Sequence, residues 1–256
     1  MCIRDRPTIA AQLINMLYNI VDRIYIGHIP DTGAMALTGV GVCMPLIMII
    51  TAFAALVGNG GAPRATIFMG KNKKDDAEKI LANCFTMQIL LSIILTVVLL
   101  IWNRDFLLAF GASANTIEYA ASYMNIYALG TIFVQLTLGM NAFITAQGFA
   151  KEGMLSVLIG AIANIILDPI FIFGLHMGVR GAALATVISQ CCSCVWVISF
   201  LFGKRTTLRI RGKNMGLKAA YILPCLALGS AIFIMQGSEI GEECSISYAV
   251  IDKDAK

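Results

Sequence analysis

Charged side chains are scarce in this chain. Only 13% of its 256 residues are Asp, Glu, Lys or Arg, about half the ~25% of a soluble globular protein. Histidine and tryptophan are each present only 2 times. There is no HExxH, no nucleophile elbow, no phosphate-cradling glycine loop and no spaced pair of CxxC motifs. An enzyme reading therefore has no constellation to stand on, no cofactor is implied, and zinc has no ligand set. What fills the chain is apolar: 58% of residues are hydrophobic and the mean hydropathy is +0.80. No soluble fold of this size hides so much apolar surface, and disorder or a disulfide scaffold is excluded with it. Most of the 8 cysteines, Cys43, Cys84, Cys191, Cys192, Cys194 and Cys225, lie within apolar stretches, where Cys is a small packing residue.

A bilayer core of ~30 Å takes about 20 apolar residues of helix. Runs of that kind cover residues 7–27, 37–58, 79–101, 117–145, 152–174 and 182–202, and a further one covers 219–236. They lack the alternation over ~10 residues of a barrel strand, and helices satisfy their own backbone in lipid. The pattern predicts an all-α membrane protein. Its parts are a six-helix transmembrane bundle over 1–202, a basic cytoplasmic linker over 203–218, and a seventh helix start with a polar tail over 219–256. The tail, with Glu239, Glu242, Glu243, Asp252 and Asp254, reads as the product of a truncation or frameshift. Met1–Arg6 reads as a prefix standing in for a native start.

The basic residues set an orientation. With the N-terminus inside, the inner segments hold Arg4, Arg6, Arg64, Lys71, Lys73, Lys74, Lys79 and Lys151, then Lys204, Arg205, Arg209, Arg211, Lys213 and Lys218. The outer loops hold only Arg104 and Arg180, with Arg23 near an outer helix end. By the positive-inside rule the chain is a multi-pass protein of the cell membrane with a cytoplasmic N-terminus. The first run is too long and too polar at Asp22 for a cleaved signal peptide. These basic runs are topology signals, and no nucleic acid is expected as a partner.

Ionisable groups inside a membrane helix cost about 2.5–3.5 kcal/mol at its centre on insertion scales, so the few present are functional candidates. In the first run Gln12, Asn15, Asn19 and Asp22, spaced 3, 4 and 3 apart, fall within an arc of roughly 80°. Amides there suit helix–helix hydrogen bonding. Asp22 is poorly explained that way, since an amide does the same job without a charge. In the fifth run Asn164 and Asp168 share a face, and Pro169 follows at once. Proline has no N–H, so the Ile165 carbonyl loses its helix partner. A free carbonyl, an amide oxygen and a carboxylate suit a hard cation; a proline kink with an Asp cap is the structural alternative. In the sixth run Thr186, Ser189, Gln190 and Ser193 fall within an arc of about 100°, which marks a bundle- or cavity-facing side. Two carboxyls sharing one apolar cavity resist being charged together, because desolvation and mutual repulsion both oppose it. Asp22 and Asp168, if they face each other, would hold a proton or a sodium ion.

The stretches LYNIVDRIYIG (Leu17 to Gly27), ALTGVGVCMPLI after the first loop, and NIILDPIFIFGLHMGVRGAALAT (Asn164 to Thr186) resemble the multidrug and toxic compound extrusion (MATE) transporters. The resemblance covers roughly residues 7–236. It implies a cation-coupled antiporter that exports small amphipathic, often cationic, compounds. It also implies a fold of twelve helices in two lobes, of which this chain holds the N-terminal lobe and lacks most of the second. Carried over by motif, the cation site is Asp22, Asn164, Asp168 and Thr186, with a fourth-helix tyrosine for which Tyr123 is the candidate and Tyr127 the alternative. Gln12, Asn15, Asn19 and Gln190 form a supporting polar face, and Asp22 and Asp168 are the residues for Na⁺. A lipid-linked saccharide flippase of the same superfamily is a rival reading, but it calls for a basic cavity and the spans hold almost no Lys or Arg. A non-transporting membrane assembly module is another.

Overall fold

A computed structural model of the chain describes residues 6–30 and 32–238. The prefix before Arg6, the polar tail after Ser238, Cys2 and Cys244 lie outside the described residues. The helices are α1 (Arg6–Gly27), α2 (Gly33–Gly70), α3 (Lys74–Ala109), α4 (Ile117–Leu129), α5 (Thr131–Ala146), α6 (Ala150–Pro169), α7 (Val179–Phe202) and α8 (Ala219–Ser238). No strand occurs among the described residues.

The chain is an all-α, multi-pass membrane protein. Among the described residues, 4 helical stretches can cross a membrane by length and composition: α2, α3, α6 with the turn after it, and α7. The pair α4 and α5 makes a fifth if its two arms, bent by 57°, count as one span. The sequence predicts one continuous helix there, over 117–145. The break falls at Gly130, where Val187 of α7 packs into the space a side chain would need. α1 falls short of the hydropathy of the other spans because of its own polar stripe, although Leu13, Met16, Leu17, Ile20 and Ile24 lie exposed on its other faces.

Two helices outrun their hydropathy. The apolar run predicts a second helix ending at residue 58, but α2 continues for 38 residues to Gly70, about 57 Å of rise. Arg64 therefore sits on a helix and not in a loop, and only residues 71–73 join α2 to α3. The glycines from residue 58 onward are packing seats. A Cβ on Gly58 would lie 2.8 Å from the Gly139 carbonyl oxygen of α5. A Cβ on Gly60 would strike the Cys225 carbonyl of α8, and one on Gly229 of α8 would strike the Leu56 carbonyl. Small residues of this kind let membrane helices approach backbone to backbone. Gly60→Ala is accordingly expected to push α8 off α2 at a cost of about 1–3 kcal/mol. Faster hydrogen exchange over 219–231 and a lower unfolding temperature in detergent are the readouts; unchanged values would mean that α8 does not depend on this contact.

Two apolar cores form along α2. One gathers Ile26, Val40, Leu46, Met124 and Ala182; the other gathers Val57, Ile80, Phe143, Val197 and Leu208. Between them two buried amides grip the α2 backbone: Gln135 donates to the Ile50 carbonyl at 2.9 Å and Gln88 to the Ala54 carbonyl at 2.9 Å.

The basic segment 203–218 lies against the bundle. Gln147, at the end of α5, accepts the Thr206 hydroxyl at 2.9 Å and the Leu208 N–H at 2.7 Å. Arg211 pairs with Glu78 of α3 at 2.8 Å. Asn83 accepts the Lys218 N–H at 2.8 Å and donates to the Asn214 carbonyl at 3.4 Å. Leu208 and Ile210 enter the second core. The segment is a strap fastened to α3 and α5.

Candidate functional site

Asp168 lies one residue before Pro169, at the end of α6. The helix then widens into a π-helical turn, Ile170–Gly174, in which the Leu175 N–H donates to the Ile170 carbonyl at 2.8 Å. Such turns are rare and recur at functional sites. Asp168 is 0% exposed and Asn164, one turn earlier, 1%. The Asn164 amide donates to Asp168 Oδ1 at 3.3 Å.

α1 packs along α6 and brings Asp22 beside Asp168. From α4, Tyr123 is buried beside Asp22, with its hydroxyl against the Thr186 side chain of α7. Thr186 in turn donates to the Ala182 carbonyl at 3.0 Å. Asp22, Tyr123, Asn164, Asp168 and Thr186 thus converge from four helices. Tyr127 stacks on Tyr123 with ring centroids 6.1 Å apart, and its neighbour is Tyr18. Of the two tyrosines, Tyr123 is the one on the side of Asp22.

Within this cluster Asp22 Oδ1, Asp168 Oδ2 and Asn164 Oδ1 are buried oxygens without a hydrogen-bond partner among the described residues. A buried acceptor left unpaired costs free energy. Three from neighbouring side chains, with two carboxyls among them, form the oxygen-rich, anionic surroundings that a proton or small hard cation relieves.

The residues expected to support this site do not all do so. Gln12, Asn15 and Gln190 line a separate cleft of about 280 Å³, together with Tyr18, Asn59 and Asn141. Asn19 spends its amide on the Asn15 carbonyl at 2.7 Å. The reason is length: Gln12 and Asp22 share an arc of α1, but the residues between them amount to about 15 Å of rise. The sixth-run stripe divides likewise. Thr186 meets the Tyr123 hydroxyl, while Ser189, Gln190 and Ser193 line the cleft. No Asp, Glu, Lys or Arg is among the residues lining the cleft.

The sequence reading passed over Asn59, Thr137 and Asn141. Asn141 holds the α5–α6 junction by donating to the Gly153 carbonyl at 3.2 Å and the Ser156 hydroxyl at 3.1 Å. An amide deep in an apolar run was signal enough to find it. Ionisable groups and striped faces stand out in a sequence, whereas isolated amides form no stripe.

Comparison with known proteins matches a family model, MatE, to residues 7–170. The chain belongs to that family. The matched part of this MatE chain contains Asp22, Tyr123, Asn164 and Asp168. A curated relative, the multidrug export protein MepA of Staphylococcus haemolyticus, is 28% identical over 229 residues, which cover 90% of the chain and 50% of the relative. A solved MOP superfamily transporter from Pyrococcus furiosus superposes with a TM-score of 0.83 at 26% identity, over 91% of this chain and 51% of that one. A crystal structure of MATE in complex with MaD3S gives 0.83 at 26% identity, over 91% and 52%. The chain spans about half the length of the curated relatives it matches, and its fold is that of the N-terminal lobe of MATE transporters.

Proposed function

We propose that the chain is the N-terminal lobe of a cation-coupled antiporter that exports small amphipathic, often cationic, compounds across the cell membrane. The observation that carries this reading is the meeting of Asp22 and Asp168 with three unpartnered buried oxygens, beside a polar cleft free of charged residues. In the proposed cycle H⁺ or Na⁺ enters from outside and is held by Asp22, Asp168 and Asn164. Tyr123 and Thr186 position the site. Neutralised carboxyls no longer repel one another, α1 repacks on α6 and α7, and the compound in the cleft loses affinity and leaves outward. The cation then escapes inward. Exchange of this kind requires each ligand to weaken the other, and linkage makes the coupling equal in both directions.

In this reading α1, α2, α3, the bent pair α4–α5, α6 and α7 are six spans of one lobe over 1–202. The strap 203–218 is cytoplasmic, the N-terminus is inside, and α8 begins the second lobe within 219–256. That second lobe is the partner needed for rocking about the cleft. Relatives described as multidrug export proteins support the compound class, and no Lys or Arg lines the cleft among the described residues, which disfavours a pyrophosphate-bearing lipid.

The test is binding of a fluorescent cationic dye to the purified protein with and without Na⁺ and at two pH values. Affinity is expected to fall about 5–150-fold, the usual range of coupling between sites, when Na⁺ is added or the pH is lowered. Lower pH acts in the same direction as Na⁺ because a bound proton and a bound Na⁺ remove the same negative charge. Equal affinity under all four conditions would overturn the proposal.

A further inference from the structure

α8 meets the bundle through cysteine as well as glycine. Cys84 of α3 and Cys225 of α8 are each 1% exposed and belong to one core cluster. Both crowd the same point on α2. A Cβ on Gly61 would lie 2.7 Å from Cys84 Sγ, and a Cβ on its neighbour Gly60 would strike the Cys225 carbonyl. The glycine pair lets the two thiols approach around α2. Arg64 follows one turn further on along α2, with its guanidinium over the Phe68 ring. Both thiols are free, and the cation site uses neither.

We propose that Cys84 and Cys225 are a redox pair whose disulfide ties α8 to α3. The oxidant is a peroxide, small and uncharged enough to reach a buried thiol. One sulfur attacks the peroxide, the O–O bond breaks, and a sulfenic acid and one water result. The second thiol then attacks that sulfur: the S–O bond breaks, the S–S bond forms and a second water leaves. Two electrons and the two thiol hydrogens pass to the peroxide. An external dithiol reverses the reaction by exchange. The link joins the helix after the strap to the bundle before it, so oxidation holds α8 fast. Its consequence for export rests on the antiport reading above; its formation does not.

The experiment treats the purified chain with hydrogen peroxide, alkylates remaining thiols after denaturation, and maps linked peptides by mass spectrometry. The expected result is a linked pair containing Cys84 and Cys225, reversed by dithiothreitol and missing in Cys84→Ser and in Cys225→Ala. Hydrogen exchange over 219–231 should slow by about tenfold or more in the oxidised protein, as local opening is suppressed. Peroxide treatment that leaves both thiols open to alkylation, or links either one to Cys43, Cys191, Cys192 or Cys194 instead, would overturn the proposal. Dye affinity with and without Na⁺ is then compared before and after peroxide. A protein that forms the link but shows no Na⁺ response even when reduced counts against the antiport reading alone.

Discussion

Asp168→Asn is expected to abolish the response of dye affinity to Na⁺ and to pH while leaving the bundle folded. Asp168 is completely buried, accepts the Asn164 amide at one oxygen and leaves the other unpartnered beside Asp22. An amide has nearly the same shape. Its N–H can donate to the Asp22 carboxylate, so the substitution replaces two opposing negative charges with one hydrogen-bonded charge. The site then gains little from a cation. Coupling of about 1–3 kcal/mol should fall toward zero. Asp22→Asn should act in the same direction. Asn164→Leu removes only a neutral ligand and should weaken the Na⁺ response without erasing it. The measurement is the four-condition binding assay on each variant, with unfolding temperature as the control. A variant that keeps the full Na⁺ and pH response would show that the coupling ion binds elsewhere.

Arg211→Ala should be the most damaging change in the strap. Glu78 is 1% exposed within α3, whereas the Arg211 side chain is 45% exposed. The two meet at 2.8 Å off the hydrogen-bond axis, so charge attraction and not a directed hydrogen bond holds them. Removing the cation leaves a carboxylate buried without a partner. Breaking a buried pair costs about 3–5 kcal/mol, and the exposure of Arg211 puts the expected loss near the lower figure. Glu78→Gln should cost less, because Arg211 can turn into solvent and an amide tolerates burial better than a charge. The double variant should recover most of the loss. Thermal unfolding of the four proteins in one detergent tests the asymmetry. Equal losses from the two single changes would mean that Glu78 has no need of its partner.

The membrane class, most of the helices and the two conspicuous carboxyls, Asp22 and Asp168, could be read from the residues because each rests on a local property. Hydropathy reports exposure to lipid, and a carboxyl in an apolar run is conspicuous wherever the helix turns. Other features depend on what a residue touches. Gly58 and Gly60 have the composition of a helix end, yet they sit inside α2 because α5 and α8 press against them. The 57° bend falls at Gly130, where Val187 of a distant helix fills the space a side chain would need. Residues 203–218 have the polarity of a free connection, and only the positions of Gln147, Glu78 and Asn83 fasten them. The polar face of α1 was legible as a face. Its division between two sites was not, because periodicity gives an angle around the axis and not a depth along it.

The fastening of Lys218 to Asn83 sets where any hinge can lie. Its amide is held at 2.8 Å on α3, immediately before Ala219 opens α8. A slack connection would let α8 drift; a clamped junction leaves it no tether length to use. Displacement of α8 relative to the bundle must arise as swing about a fulcrum at residues 218–219. The contacts at Gly60 and Gly229 are then the stops at the far end of a short lever arm.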